Sequence, residues 1–203
     1  MANPRREQLR AAVVRYVELP GARSLRALGL TPNAVTLIGF AVTLGAAYLV
    51  GSNRLLAGGI VFLLGGGLDL LDGALARLTG RVTPFGALLD SVLDRLGEAS
   101  LFVGLAVYSL RAGFSDRHLL FFIIVLLMAL ILSQAVSYLR ARGEGLGVST
   151  RAGLMTRPER VVLLGMGLII HQIEWVLLVV AVVSGFTLLQ RLFTIRGLLN
   201  KGG

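Results

Sequence analysis

The sequence has 203 residues, 55% hydrophobic and 15% charged, with a formal net charge of +9 and no cysteine. The lack of cysteine excludes a disulfide scaffold and any thiolate nucleophile or metal ligand. Long uncharged apolar runs exclude a soluble globule and indicate a polytopic membrane protein.

Residues 5–20 place Leu9, Ala12, Val13, Tyr16 and Val17 on one helix face, interleaved with Arg5, Arg6, Arg10 and Arg15. This pattern predicts a helix lying in the membrane interface, with a solvated amphipathic tail as the alternative. Residues 1–30 are read as an N-terminal amphipathic juxtamembrane segment and 31–203 as the membrane domain. No secretory leader is expected, because no short apolar stretch with a cleavage site follows the basic start. Thr31-Pro32 opens a first predicted span to about residue 50, with Thr as the N-cap and Pro at the first helical position. A Gly51-Ser52-Asn53 turn leads to a second span over about 54–78. Thr83-Pro84 opens a third, to about 110. A polar loop at 111–118 precedes a fourth over about 119–140, and the glycine-rich stretch 141–155 is expected to be a loop. Thr156-Arg-Pro-Glu159 has the spacing of a capping box and starts a fifth span. A tight His171-Gln172 connection leads to the sixth, over about 174–193. The expected fold is an all-α integral membrane protein with six transmembrane helices and the N-terminal interfacial helix.

In that topology 17 of the 20 Lys and Arg fall on one side, leaving only Arg54, Arg111 and Arg117 on the other. That is the positive-inside pattern: both termini face the cytoplasm, and the basic face suits anionic lipids and phosphorylated substrates rather than nucleic acid. The helices starting on the basic side each begin with a Thr and a nearby Pro. Their N-terminal N–H groups would face phosphates at that level.

Four of the five aspartates, Asp69, Asp72, Asp90 and Asp94, lie at the same level. Asp69 and Asp72 are i,i+3 and Asp90 and Asp94 i,i+4, so each pair shares a helix face across a short turn. Carboxylates bordering membrane-grade segments need a partner or a function, and four that converge need cations. Oxygen-only ligands favour Mg²⁺, Mn²⁺ or Ca²⁺ over zinc. Gly65-Gly66-Gly67 suits close helix packing. Arg95 and Glu98, next to Asp94, are read either as a supporting pair or as exposed interfacial charges. Arg142 and Glu144 are read as structural. A cation- or proton-coupled transporter is the non-enzymatic alternative, disfavoured because the aspartates sit toward one face and transport sites usually lie near the midplane.

The run Asp69-x₂-Asp72-Gly73-x₂-Ala76-Arg77-x₈-Gly86-x₃-Asp90-x₃-Asp94 resembles the complete eight-position signature of the CDP-alcohol phosphotransferase family. The resemblance implies six helices around a dimetal site holding Mg²⁺ or Mn²⁺, and transfer of a phospho-alcohol from a CDP-linked donor to a hydroxyl with release of CMP. It implies Asp69, Asp72 and Asp90 as main metal ligands, with Asp94 near the second metal as general base. Gly73, Ala76, Arg77 and Gly86, with Asp69, would form the CDP site, and Pro32, Asn33 and Thr36 are further possible nucleotide contacts. The segments Ser137–Glu144, Arg157–Arg160 and Gln190–Leu192 resemble the bacterial phosphatidylinositol-phosphate synthase branch, which implies CDP-diacylglycerol as donor and inositol 1-phosphate as acceptor. Arg140, Arg160 and Arg191 would then hold the acceptor phosphate. The branch usually has Lys at the position of Arg140, so a planar fork replaces a point charge there. Glycerol 3-phosphate is the alternative acceptor. The resemblance further implies a homodimer, and the positive-inside reading puts it in the cytoplasmic membrane with its active site facing the cytoplasm.

Overall fold

The computed structural model describes residues 14–148 and 153–200. Among these residues the regular structure is all helical. The first half of the expected amphipathic helix, through residue 13, lies outside the described residues. A single π-helical turn, Val14–Glu18, then leads into α1 (Leu19–Ala27). α2 (Pro32–Gly51), α3 (Leu55–Thr79), α4 (Pro84–Arg111), α5 (Asp116–Gly145), α6 (Arg157–Ile169) and α7 (Ile173–Leu199) follow.

The Thr-Pro signals set the helix starts. The Thr31 hydroxyl accepts from the Ala34 N–H at 3.3 Å, and the Thr83 hydroxyl accepts from the Gly86 N–H at 3.0 Å. Each satisfies a donor the helix itself leaves without a partner. Ahead of α6 the Thr156 N–H donates to the Glu159 carboxylate at 3.1 Å, closing the capping box from the other side. Gly80 ends α3 in the left-handed conformation, with φ of +66°.

One element departs from expectation. α5 runs through Ala141–Gly145, which the glycine content had placed in a loop. Gly143 is buried there, and a Cβ on it would meet Ile195 Cδ1 at 3.0 Å, so its packing against α7 outweighs its poor helix propensity. α6 has 13 residues, about 20 Å of helix, and His171 turns the chain with φ of +56°. α7, more than twice as long, runs on past it: the Met155 N–H, just ahead of α6, donates to the Thr187 hydroxyl midway along α7, at 3.2 Å.

Four helices, α2, α3, α5 and α7, are long and apolar enough to cross a membrane. α4 has the length, but Asp90, Asp94, Arg95 and Glu98 lie within its first fifteen residues; α6 is too short on its own. The main core joins Phe62, Phe102, Phe122, Leu126, Leu164 and Leu177 across α3 to α7. Outward-facing Leu120, Phe121, Ile124, Val182 and Phe186 are exposed, the inverse of a water-soluble surface. Glycines let α3 approach its neighbours closely. A Cβ on Gly65 would lie 2.6 Å from Thr43 Oγ1 of α2, and one on Gly66 would lie 2.6 Å from Val161 Cγ1 of α6. Gly67 has open space at that position. α1 lies over the far end of α3, with Ala22 buried beside Ala74 and Leu75, while Tyr16 and Val17 of the predicted apolar stripe are exposed.

Candidate active site

The turn at 80–83 folds the end of α3 against the start of α4, so the helical spacing of the aspartates becomes a spatial cluster. Asp69, Asp72 and Asp90 each bring a carboxylate oxygen to within 4.8 Å of the others. Like charges this close are strongly unfavourable without a cation among them. Asp90 Oδ1 is buried and has no hydrogen-bond partner among the described residues. A buried acceptor left unpaired beside an all-oxygen donor set fits a hard divalent cation. The fit is further supported by Thr36, whose hydroxyl donates to Asp72 Oδ2 at 2.5 Å and fixes the direction of that carboxylate. Asp94 stands one turn further along α4, paired with Arg157 at 2.6 Å.

Two cavities, of about 310 and 320 Å³, open on either side of the cluster, at the small end of the range for small-molecule sites. The first is lined by Pro32, Asn33, Thr36, Asp72, Gly73, Ala76, Arg77 and Gly86. The second is lined by Asp94, Arg140, Arg157, Arg160 and Arg191. Ala87 and Asp90 line both, so the cavities meet at the carboxylates. The N-terminal turns of α2 and α4 border the first cavity and that of α6 borders the second, so the positive ends of three helix dipoles face this space.

Residues 29–187 match the family model for CDP-alcohol phosphatidyltransferase, and the eight signature positions all fall inside the match. The chain belongs to the CDP-alcohol phosphatidyltransferase family. Phosphatidylinositol phosphate synthase of Mycolicibacterium smegmatis is 38% identical to it over 89% of this chain and 85% of that protein. Archaetidylinositol phosphate synthase of Pyrococcus horikoshii is 36% identical over 89% of this chain and 91% of the other. Among solved structures, Mycobacterium tuberculosis phosphatidylinositol phosphate synthase with CDP-DAG bound superposes with a TM-score of 0.78 at 34% identity, covering 89% of this chain and 94% of that one. The same enzyme in complex with manganese and citrate gives a TM-score of 0.78 at 33% identity, with 88% of each chain covered.

In this CDP-alcohol phosphatidyltransferase several polar residues have partners that sequence reasoning did not assign. Arg157 reaches from the first turn of α6 into the carboxylate cluster, pairing with Asp69 through Nη1 and with Asp94 through Nη2. Glu98 is not a partner of Arg95. Its carboxylate takes a bidentate pair from Arg160, at 2.7 Å to Nε and 2.8 Å to Nη2, and both side chains are fully buried. Arg160 Nη2 also donates to the Ser137 hydroxyl at 3.2 Å. Arg95 instead caps its own helix turn by donating to the Ser91 carbonyl at 2.5 Å. Arg140 is paired with Glu144 one turn on, at 3.0 Å, and Arg191 donates to the Val136 carbonyl at 2.9 Å. Arg77, on the rim of the first cavity, pairs with Glu18 ahead of α1 at 2.7 Å. The only sequence signal for Arg157 was its place in the Arg-Pro-Glu-Arg run, which says nothing about which arginine faces the aspartates.

Proposed function

We propose that this chain transfers the phosphatidyl group of CDP-diacylglycerol to a hydroxyl of inositol 1-phosphate, forming phosphatidylinositol phosphate and CMP. Two cavities meeting at Asp90 carry this reading: one is lined by the signature residues, the other by five arginines. The activity named for its relatives, and the CDP-DAG bound by one of them, support it.

The division of labour follows from where each residue stands. Gly73, Ala76 and Gly86 leave a floor almost without side chains, where a flat base and a pyrophosphate can approach backbone. Arg77 stands at its rim, and Pro32, Asn33 and Thr36 form the opposite wall. Asp69, Asp72, Asp90 and Asp94 would hold two divalent cations, Mg²⁺ or Mn²⁺, which would supply positive charge to the pyrophosphate and to the departing CMP. Arg140 and Arg191 supply charge to the acceptor phosphate. Arg160, already neutralised by Glu98, contributes the edge of its guanidinium that Glu98 does not use. Asp94 borders the acceptor cavity and not the nucleotide cavity, which suits it to take the proton of the attacking hydroxyl. The new bond forms between that oxygen and the lipid-side phosphorus, as the bond from that phosphorus to the CMP oxygen breaks.

The reading includes six membrane crossings, α4 and α6 completing the four more apolar ones, and an interfacial N-terminal segment, 1–30, ahead of the catalytic domain, 31–203. The cavities open at the end of the bundle where the basic residues gather, which argues for a cytoplasmic active site in the cell membrane. The homodimer rests on family resemblance alone. The test is CMP release by purified protein with CDP-diacylglycerol and Mn²⁺ or Mg²⁺, offering inositol 1-phosphate, glycerol 3-phosphate, inositol and serine separately. Release with inositol 1-phosphate alone is expected. Release with glycerol 3-phosphate alone would refute the acceptor assignment, and no release with any acceptor would refute the transferase reading.

A further inference from the structure

Arg157 is the one cation in direct ion-pair contact with the aspartate cluster among the described residues. Its guanidinium ties the start of α6 to both carboxylate-bearing helices, through Asp69 on α3 and Asp94 on α4. Its Nε is buried and has no hydrogen-bond partner among the described residues, so the arginine is incompletely satisfied where it lies. The same side chain lines the cavity that holds Arg140, Arg160 and Arg191. Four aspartates and one guanidinium leave the cluster with excess negative charge. Two divalent cations would balance the four carboxylates and make the guanidinium surplus, repelled by the metals it adjoins.

We infer that Arg157 is a resident counter-cation that competes with the divalent metal for Asp69 and Asp94, and that metal loading releases it into the arginine-lined cavity to join the site for the acceptor phosphate. Metal and acceptor binding are thereby coupled, and the phosphate-binding charge of the cavity is completed only once the metals are in place. This rests on the reading that the aspartates hold divalent cations.

The experiment uses the full chain in detergent, with Mn²⁺ affinity followed by the electron paramagnetic resonance signal of free Mn²⁺. The proteins are wild type, Arg157→Gln, Arg95→Gln and Asp90→Asn. Arg95 lines the same cavity and follows Asp94 in sequence but makes no ion pair with the cluster, so it controls for the general loss of a nearby positive charge. Arg157→Gln is expected to bind Mn²⁺ at least about fivefold more tightly than wild type, the low end of ordinary coupling between sites, with Arg95→Gln shifted clearly less. Equal shifts in the two variants, or weaker binding by a folded Arg157→Gln, would overturn the competition. Undiminished Mn²⁺ binding by Asp90→Asn would instead overturn the metal-site reading itself. The release step is read with inorganic phosphate. Without metal, wild type and Arg157→Gln should bind it equally; with saturating Mn²⁺, wild type should bind it at least about fivefold more tightly. Equal phosphate affinity of the two proteins with Mn²⁺ present would overturn the release.

Discussion

Glu98 and Arg160 form the most enclosed ion pair described in this protein, with side chains 4% and 1% exposed. Replacing Glu98 with Ala leaves the Arg160 guanidinium buried, still bonded to Ser137 but without its counter-charge. Breaking a buried pair from one side costs about 3–5 kcal/mol. For a domain of this size about 1 kcal/mol moves the midpoint by about 2–4 °C, so the thermal midpoint should fall by about 6–20 °C. Removing both charges behaves differently, because replacing a buried pair with apolar groups of similar volume is often neutral. Glu98→Leu/Arg160→Met should therefore regain most of the stability lost in Glu98→Ala, while CMP release stays low because the acceptor cavity has lost a donor. The assay is thermal unfolding of purified protein in detergent, followed by circular dichroism, beside CMP release at matched temperature. A Glu98→Ala midpoint within about 2 °C of wild type, less than about 1 kcal/mol, would refute the reasoning. So would a double variant no more stable than Glu98→Ala.

Further outcomes are expected at the site. Asp94→Asn should keep CDP-diacylglycerol binding, measured by titration, and lose about 10²–10⁴-fold in transfer; near-normal turnover would remove Asp94 as the base. Thr36→Val removes the hydroxyl that orients Asp72 and should weaken Mn²⁺ binding by about 10–100-fold in calorimetry. Arg191→Gln should raise KM for the phosphorylated acceptor while leaving KM for CDP-diacylglycerol within about twofold, since removing a charge-assisted bond worth about 1.5–3 kcal/mol acts on one substrate only. Gly86→Ala would set a methyl 3.0 Å from Thr83 Oγ1 and 3.1 Å from Asn33 Oδ1 on the wall of the nucleotide cavity, and should raise KM for the donor more than for the acceptor.

The helix starts were legible because Thr-Pro is a local signal: the hydroxyl that caps the helix and the ring that fits its first turn are neighbours in sequence. The aspartate cluster was legible for a related reason, since helical spacing puts each pair on one face and the turn between the helices is short. Pairings across long sequence separations were not. Arg157 and Asp69 are 88 residues apart, and Arg160 and Glu98 are 62 apart. No periodicity connects such residues, and Arg95 offered Glu98 an equally reasonable partner one turn away. The end of α5 was misread for a different reason. Glycine signals a loop through its weak helix propensity, yet Gly143 serves as a contact surface against α7, and tertiary packing overrides a preference of about 1 kcal/mol. The end of α6 was legible, because His171-Gln172 interrupts the apolar run where the backbone turns.

The mismatch in length between α6 and α7 has a consequence for how two unlike molecules can react. From Thr187 to Leu199 the longer helix continues for about 18 Å beyond the level at which its short neighbour begins. The bundle therefore has a step in its rim, and the arginines and aspartates line the ground below it. A sugar phosphate can descend into that well without leaving water. A lipid can lie alongside with its tails in the hydrocarbon and its phosphorus at the same height. Neither reactant has to enter the other's solvent: the missing turns of one helix bring the water surface down to the lipid.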